Sequence, residues 1–136
     1  MAAGNYSFTI EQGATTDFEI VYKDSNSNPV DLTGYQAKMQ LKDSIGGSST
    51  FLTLSSSLSP DGTGLNLSGS GGLNASKPTT SGSIGIFIGY VSSSNLSFSS
   101  AVYDLELVSG SGNAAVVTRL LQGKVNLSKE VTTGDY

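Results

Sequence analysis

The sequence predicts an all-β protein, an antiparallel β-sandwich of seven to eight strands. Three observations carry that expectation. Apolar and polar residues alternate with a period of two from near Tyr6 to Leu127, as strands that bury one face require. Gly, Ser and Thr fill more than a third of the 136 positions, enough to turn the chain between short strands at sandwich-like spacing. No stretch carries the three-and-four spacing of a long amphipathic helix.

The elements follow in order. Tyr6, Phe8 and Ile10 share one phase against Ser7 and Thr9. After the turn residues Gln12-Gly13, Phe18, Ile20 and Tyr22 repeat it against Asp17, Glu19 and Lys23. Tyr35, Ala37, Met39 and Leu41 alternate with Gln36, Lys38, Gln40 and Lys42. Shorter strands are expected over Thr50–Leu54 and Gly64–Leu67. Gly69–Thr80 reads as a long surface loop, and Pro78 bars it from a central ladder. Ser83–Val91 sets Ile84, Ile86, Ile88 and Tyr90 on one face, with Gly85, Phe87 and Gly89 on the other. Those glycines imply a bulge or the close approach of another backbone. Within Ser92–Ser100 a single helical turn capped by one of Ser92 to Ser94 is expected. Ala101, Tyr103, Leu105 and Leu107 form the next strand, Ser109–Asn113 a hairpin loop, and Ala114–Leu121 its return. Gly123 is expected to break or bulge that return before Lys124–Leu127 completes it. The result is one domain over 1–136, with its core from about 6 to 128 and a C-terminal tail at 129–136.

Composition excludes several function classes. The chain has no Cys and no Trp, and no His either. It therefore lacks disulfides, thiolate or imidazole metal sites and His-based nucleophilic catalysis. A net charge of −4 gives no electrostatic footprint for nucleic acid or an anionic membrane. Hydrophobic residues make up 37%, so the core should be thin and assembly would help the protomer bury surface. The patterning argues against disorder. The longest apolar run, Ile84–Val91, is far short of the ~20 residues of a membrane helix. Met1–Asn5 lacks the basic and apolar regions of a signal peptide, which leads to the expectation of a soluble protein made in a cytoplasm.

Five features invite chemistry. Asp24-Ser25-Asn26-Ser27-Asn28 opens like a calcium loop, but Pro29 stands where that loop needs Gly and Tyr35 where it needs Glu. A polar turn is the expectation. Asp104 and Glu106 share a strand face roughly 6–7 Å apart by strand rise, near the separation used in glycoside hydrolysis. Nothing else indicates a cleft, and two acids on a solvated face are ordinary. Asn5, Asn66, Asn74, Asn95 and Asn126 each begin an Asn-x-Ser triplet, which a chain rich in both residues produces by chance. Gly69–Gly72 lacks the phosphate-loop pattern, and no Ser-x-x-Lys occurs. Tyr6, Phe8, Phe18, Tyr22, Tyr35, Phe87, Tyr90 and Tyr103 fall mostly on apolar phases and are expected in the core rather than on a sugar platform. No catalytic residue, cofactor or metal site is expected.

Three segments carry a resemblance. FTIEQG from Phe8, with DFEI from Asp17, opens the chain. DSNSNPVDLTG at 24–34 runs into the strand Tyr35–Gln40. Val102–Leu107 and Arg119–Val125 close it, reading VYDLEL and RLLQGKV. From about Tyr6 to Thr133 the chain resembles small structural proteins of tailed bacteriophages, similar to the N-terminal domain of baseplate upper proteins. Ser27-Asn28 stand where Asp-Gly is usual in that group, and Asn28 can supply the positive φ of the turn. Asp31 can bond backbone N–H groups of the DLTG turn, and Arg119 can pair with Asp104 or Glu106.

The resemblance implies an immunoglobulin-like sandwich and a non-enzymatic virion protein. Such a protein would assemble in the tail or baseplate with other phage virion structural proteins and with copies of itself, without nucleic acid or membrane. Asn74–Thr80 and Lys129–Tyr136 are the expected docking segments. A head decoration or neck protein and a carbohydrate-binding or adhesive module are the two alternative readings.

Overall fold

A computed structural model describes residues 4–68 and 77–133. Most of the expected loop at 69–80, its Asn74, and the last three residues of the tail lie outside the described residues. Nine strands are present among the described residues: β1 (Gly4–Asn5), β2 (Phe8–Glu11), β3 (Thr16–Val21), β4 (Gln36–Lys42), β5 (Thr50–Ser55), β6 (Gly64–Asn66), β7 (Ser83–Ile88), β8 (Ser100–Ser109) and β9 (Val116–Ser128). One five-residue helix, α1 (Tyr90–Ser94), joins β7 to β8. The larger sheet runs β5–β4–β8–β9, with β1 and β2 both along the far side of β9. The smaller sheet runs β3–β7–β6. The two pack as a β-sandwich, and the all-β class predicted from alternation holds.

The inward phase of each strand fills one core. Ile84, Ile86 and Ile88 of β7 are fully buried and face Ala37, Met39 and Leu41 of β4 with Tyr103, Leu105 and Leu107 of β8 in one cluster. Each such Ile or Leu contributes roughly 1.5–3 kcal/mol by leaving water. The chain crosses between sheets at the β3–β4 connection, where Leu32 is buried at one end of the core. The DLTG segment at this crossing forms the expected Asx-type turn. Asp31 Oδ1 accepts the Thr33 N–H at 2.9 Å and the Thr33 hydroxyl at 2.6 Å. The Tyr35 N–H closes onto the Leu32 carbonyl, with Gly34 at φ 83°. Only glycine enters that region without steric cost.

Four details differ from the sequence reading. First, the sandwich is not wholly antiparallel: β1 and β2 run parallel to β9, Gly4 opposite Leu121 and Phe8 opposite Val125. Both pairs share one register, so they are a single strand interrupted at Tyr6–Ser7, which raises the count to nine. The interruption has a cause. The Tyr6 carbonyl accepts the Tyr103 hydroxyl at 2.5 Å, and the Lys124 N–H is taken by Ser7 Oγ at 3.2 Å.

Second, Gly123 neither breaks nor bulges β9; it pairs with Tyr103 in the ladder. A Cβ there would collide with the Tyr6 carbonyl, so the glycine serves close approach. The bulge lies at Leu120, between the pairs Leu105–Leu121 and Glu106–Arg119. Third, the strand expected to reach Val91 stops at Ile88, and α1 starts from Gly89 rather than from a serine cap. The Gly89 N–H goes to Thr63 Oγ1 at 2.9 Å, and the Asp61 carboxylate sits where its side chain would be. Fourth, Ser27, not Asn28, takes the positive φ of the Asp24 turn, at 65°.

Candidate functional site

The predicted chemistry separates once placed in space. Asp24 is a turn residue: its Oδ1 accepts the N–H groups of Asn26 and Asn28 at 2.9 and 3.0 Å, and Lys23 bridges Pro29 behind it. Among the described residues no three metal-binding side chains come together, and no helix is long and apolar enough to cross a membrane. The aromatic residues mostly turn inward. Phe8, Phe18, Tyr22 and Tyr35 pack on the core, with Phe8 edge-on to Tyr103 at 5.3 Å between centroids. Tyr6, half exposed against Phe8 and Phe18, lies outside that cluster, and so do the half-buried Phe87 and Tyr90. Burial and the neighbouring Tyr6 push the Tyr103 phenol up to about 12.

Asp104 and Glu106 do lie on one face, the outer face of the larger sheet. Register sets three rows of side chains across it. Lys38, Glu106 and Arg119 form one, and Lys42, Val102 and Lys124 another. Between them run Gln40, Asp104, Gln122 and Asn5, one from each of β4, β8, β9 and β1. Arg119 Nε pairs with Asp104 Oδ2 at 3.3 Å, one of the two partners expected for it. Both groups are about half exposed, so the pair contributes ~0–1 kcal/mol. The β4–β5 loop, Ser44 to Gly46, overhangs these rows and makes an open groove of about 470 Å³. The two carboxylates stand among cations and amides, not in the apolar pocket that a glycosidase acid requires.

A second polar cluster holds α1 in place. Ser92 Oγ donates to Asp61 Oδ2 at 2.8 Å, Thr63 Oγ1 donates to Ser92 Oγ at 3.1 Å, and Asp61 Oδ1 accepts the Thr63 N–H at 3.0 Å. Burial works to raise the Asp61 carboxyl, but the hydrogen bonds from Ser92 and Thr63 outweigh it and hold the group below its ordinary 3.8. Fully buried Ser93 accepts the Gly13 N–H and donates to the Ala14 carbonyl, which ties α1 to the β2–β3 turn. All four side chains are committed to structure.

The sheet edges are unequal. β3 carries Asp17 and Glu19, β2 carries Glu11, and β6 has only three residues. β5, reading TFLTLS, carries no charge and no proline, and among the described residues it pairs only with β4. A register shift between Leu41 and Lys42 leaves Phe51 unpaired, and its ring stacks on Phe98 at 4.8 Å while staying 36% exposed. Ile45, in the preceding loop, is 93% exposed. Proteins that stay monomeric blunt such edges with charge or proline.

Sequence reasoning missed both the amide row and this edge. The outward phase of each strand is visible in the sequence, but which outward residues become neighbours depends on register. Of the expected docking segments, Thr79 is tied inward by bonds to Leu32 and Thr33, and Glu130 by its N–H to Gln12 Oε1. Val131 stands fully exposed. No protein-family model and no curated protein matches the chain.

Proposed function

We propose that this chain is a non-enzymatic structural protein of a tailed phage virion, assembling in the tail or baseplate through contacts with copies of itself and with other virion proteins. The observation that carries the assembly reading is the β5 edge, which among the described residues pairs on one side only and has no charge to repel a partner. A second copy suits it. In an antiparallel pairing about a two-fold axis each β5 meets its own sequence, and a strand without charges meets no like charge. The phage assignment rests on the resemblance of the Asp31–Gly34 turn and of the β8–β9 hairpin. The use of Asp61, Ser92, Ser93, Asp104 and Arg119 in structural bonds supports the non-enzymatic reading.

Immunogold electron microscopy on purified phage particles, with an antibody to this protein, tests the assignment. Label at the distal tail is the expected result, and label at the head–tail junction or over the capsid moves the protein to the neck or the head. Particles without label, and without its peptides in mass spectra, overturn the virion reading.

A further inference from the structure

The groove on the outer face of the larger sheet is lined by β1, β4, β8, β9 and the β4–β5 loop but by no residue of β5, and it has a chemistry of its own. Its volume of about 470 Å³ is in the range of small-ligand sites. Across its floor, Gln40, Asp104, Gln122 and Asn5 sit on four adjacent strands, about 4.8 Å from one to the next. Amides both donate and accept, and a carboxylate accepts twice. Such a row suits a ligand that carries hydroxyls at regular intervals. Arg119 pairs with only one oxygen of Asp104.

The next row gives the ligand's charge. Lys42 and Lys124 flank Val102, and neither has an ion-pair partner among the described residues. In a chain of net charge −4, this end of the groove is locally positive, with the apolar Ile45 in the loop above. Two free ammonium groups suit a carboxylate but are few for a nucleic-acid backbone. A peptide is also a poor fit. Its main chain seeks free backbone partners at a strand edge, and here the floor is a sheet face whose backbone groups are used in the β4–β8–β9 ladders.

We propose that this groove binds a carboxylate-bearing oligosaccharide, its hydroxyls on Gln40, Asp104, Gln122 and Asn5 and its carboxylate between Lys42 and Lys124. Binding is by polar side chains on a rigid sheet, without an aromatic platform, so affinity is modest and sensitive to salt.

The test is a nuclear magnetic resonance titration of the whole chain with trigalacturonate, a hyaluronan tetrasaccharide and sialyllactose, each beside its methyl ester. At least one acid is expected to shift the amide signals of Gln40, Lys42, Val102, Gln122 and Lys124, with its ester at least tenfold weaker. Lys42→Gln with Lys124→Gln should weaken the acid by a similar factor, and Gln122→Ala should weaken acid and ester alike. These side chains are at least partly exposed, and circular dichroism verifies the fold of each variant. The proposal is overturned if none of the acids shifts these signals at millimolar concentration. It is equally overturned if the double variant binds unchanged, or if hexaglutamate binds as tightly as the best saccharide and ignores Gln122→Ala.

Discussion

Tyr103 links three elements through one side chain: its ring packs on Phe8, its backbone pairs with Gly123, and its hydroxyl holds the Tyr6 carbonyl. Tyr103→Phe keeps the packing and removes the hydrogen bond. We expect a loss of about 1 kcal/mol, read as a melting temperature lower by a few degrees. The same phenol makes stability depend on alkaline pH. Its folded value of about 12 lies above the ordinary 10, so its contribution is intact below pH 10 and is lost as pH rises toward 12; the phenylalanine variant should show a smaller loss over that window. The acid limb has the opposite sign. Asp31, lowered by the Thr33 hydroxyl and N–H, and Asp61, lowered by Ser92 and Thr63 against its burial, both titrate below 3.8. Their contribution is present above pH 3.8 and disappears as pH falls through their folded values, and Asp61→Asn should flatten that part of an acid-unfolding curve. Ser27 occupies a left-handed backbone position, so Ser27→Gly should stabilise the protein by roughly 0.5–1 kcal/mol in urea unfolding.

At the scale of elements, the parallel entry strand depends on Gly123. Gly123→Ala drives a methyl group into the Tyr6 carbonyl. It should cost about 1–3 kcal/mol and selectively speed amide exchange over residues 4–11. What the sequence made legible, and what it hid, divides along this line. The phases of β4 and β8 were readable because each buries one face and leaves the other at least partly exposed, as Met39 and Gln40 do in β4; β7, covered on both faces, was readable from its isoleucines at every second position. The Asp31–Gly34 turn was readable because its bonds are local. The parallel direction of β1 and β2 was not, because alternation looks the same in either direction. Nor was the bulge at Leu120. Leu120 and Leu121 both pack on the core, and nothing local distinguishes that pair from ordinary strand residues, whereas a glycine such as Gly123 signals a bulge and a close backbone approach alike. The helix start at Gly89 depends on Asp61 and Thr63, more than twenty residues upstream. The groove shares this property, since its four-residue polar row exists only once four strands are in register.

Among the described residues the molecule presents a sheet face rich in polar side chains, a six-residue uncharged edge at β5, and a core drawn from both sheets. In the proposed reading this edge is where a second copy joins, and its outward-facing residue Thr53 is exposed between Leu52 and Leu54. A lysine there leaves the core untouched and places a charge where a second copy would add its strand. Sedimentation velocity over a range of concentrations, on the wild-type chain and on Thr53→Lys, tests this directly. The wild type should sediment above the 14.0 kDa of one chain, and Thr53→Lys should sediment as a monomer with unchanged circular dichroism. A wild type that stays monomeric at hundreds of micromolar, or a lysine variant that assembles as well as the wild type, would contradict assembly through the β5 edge.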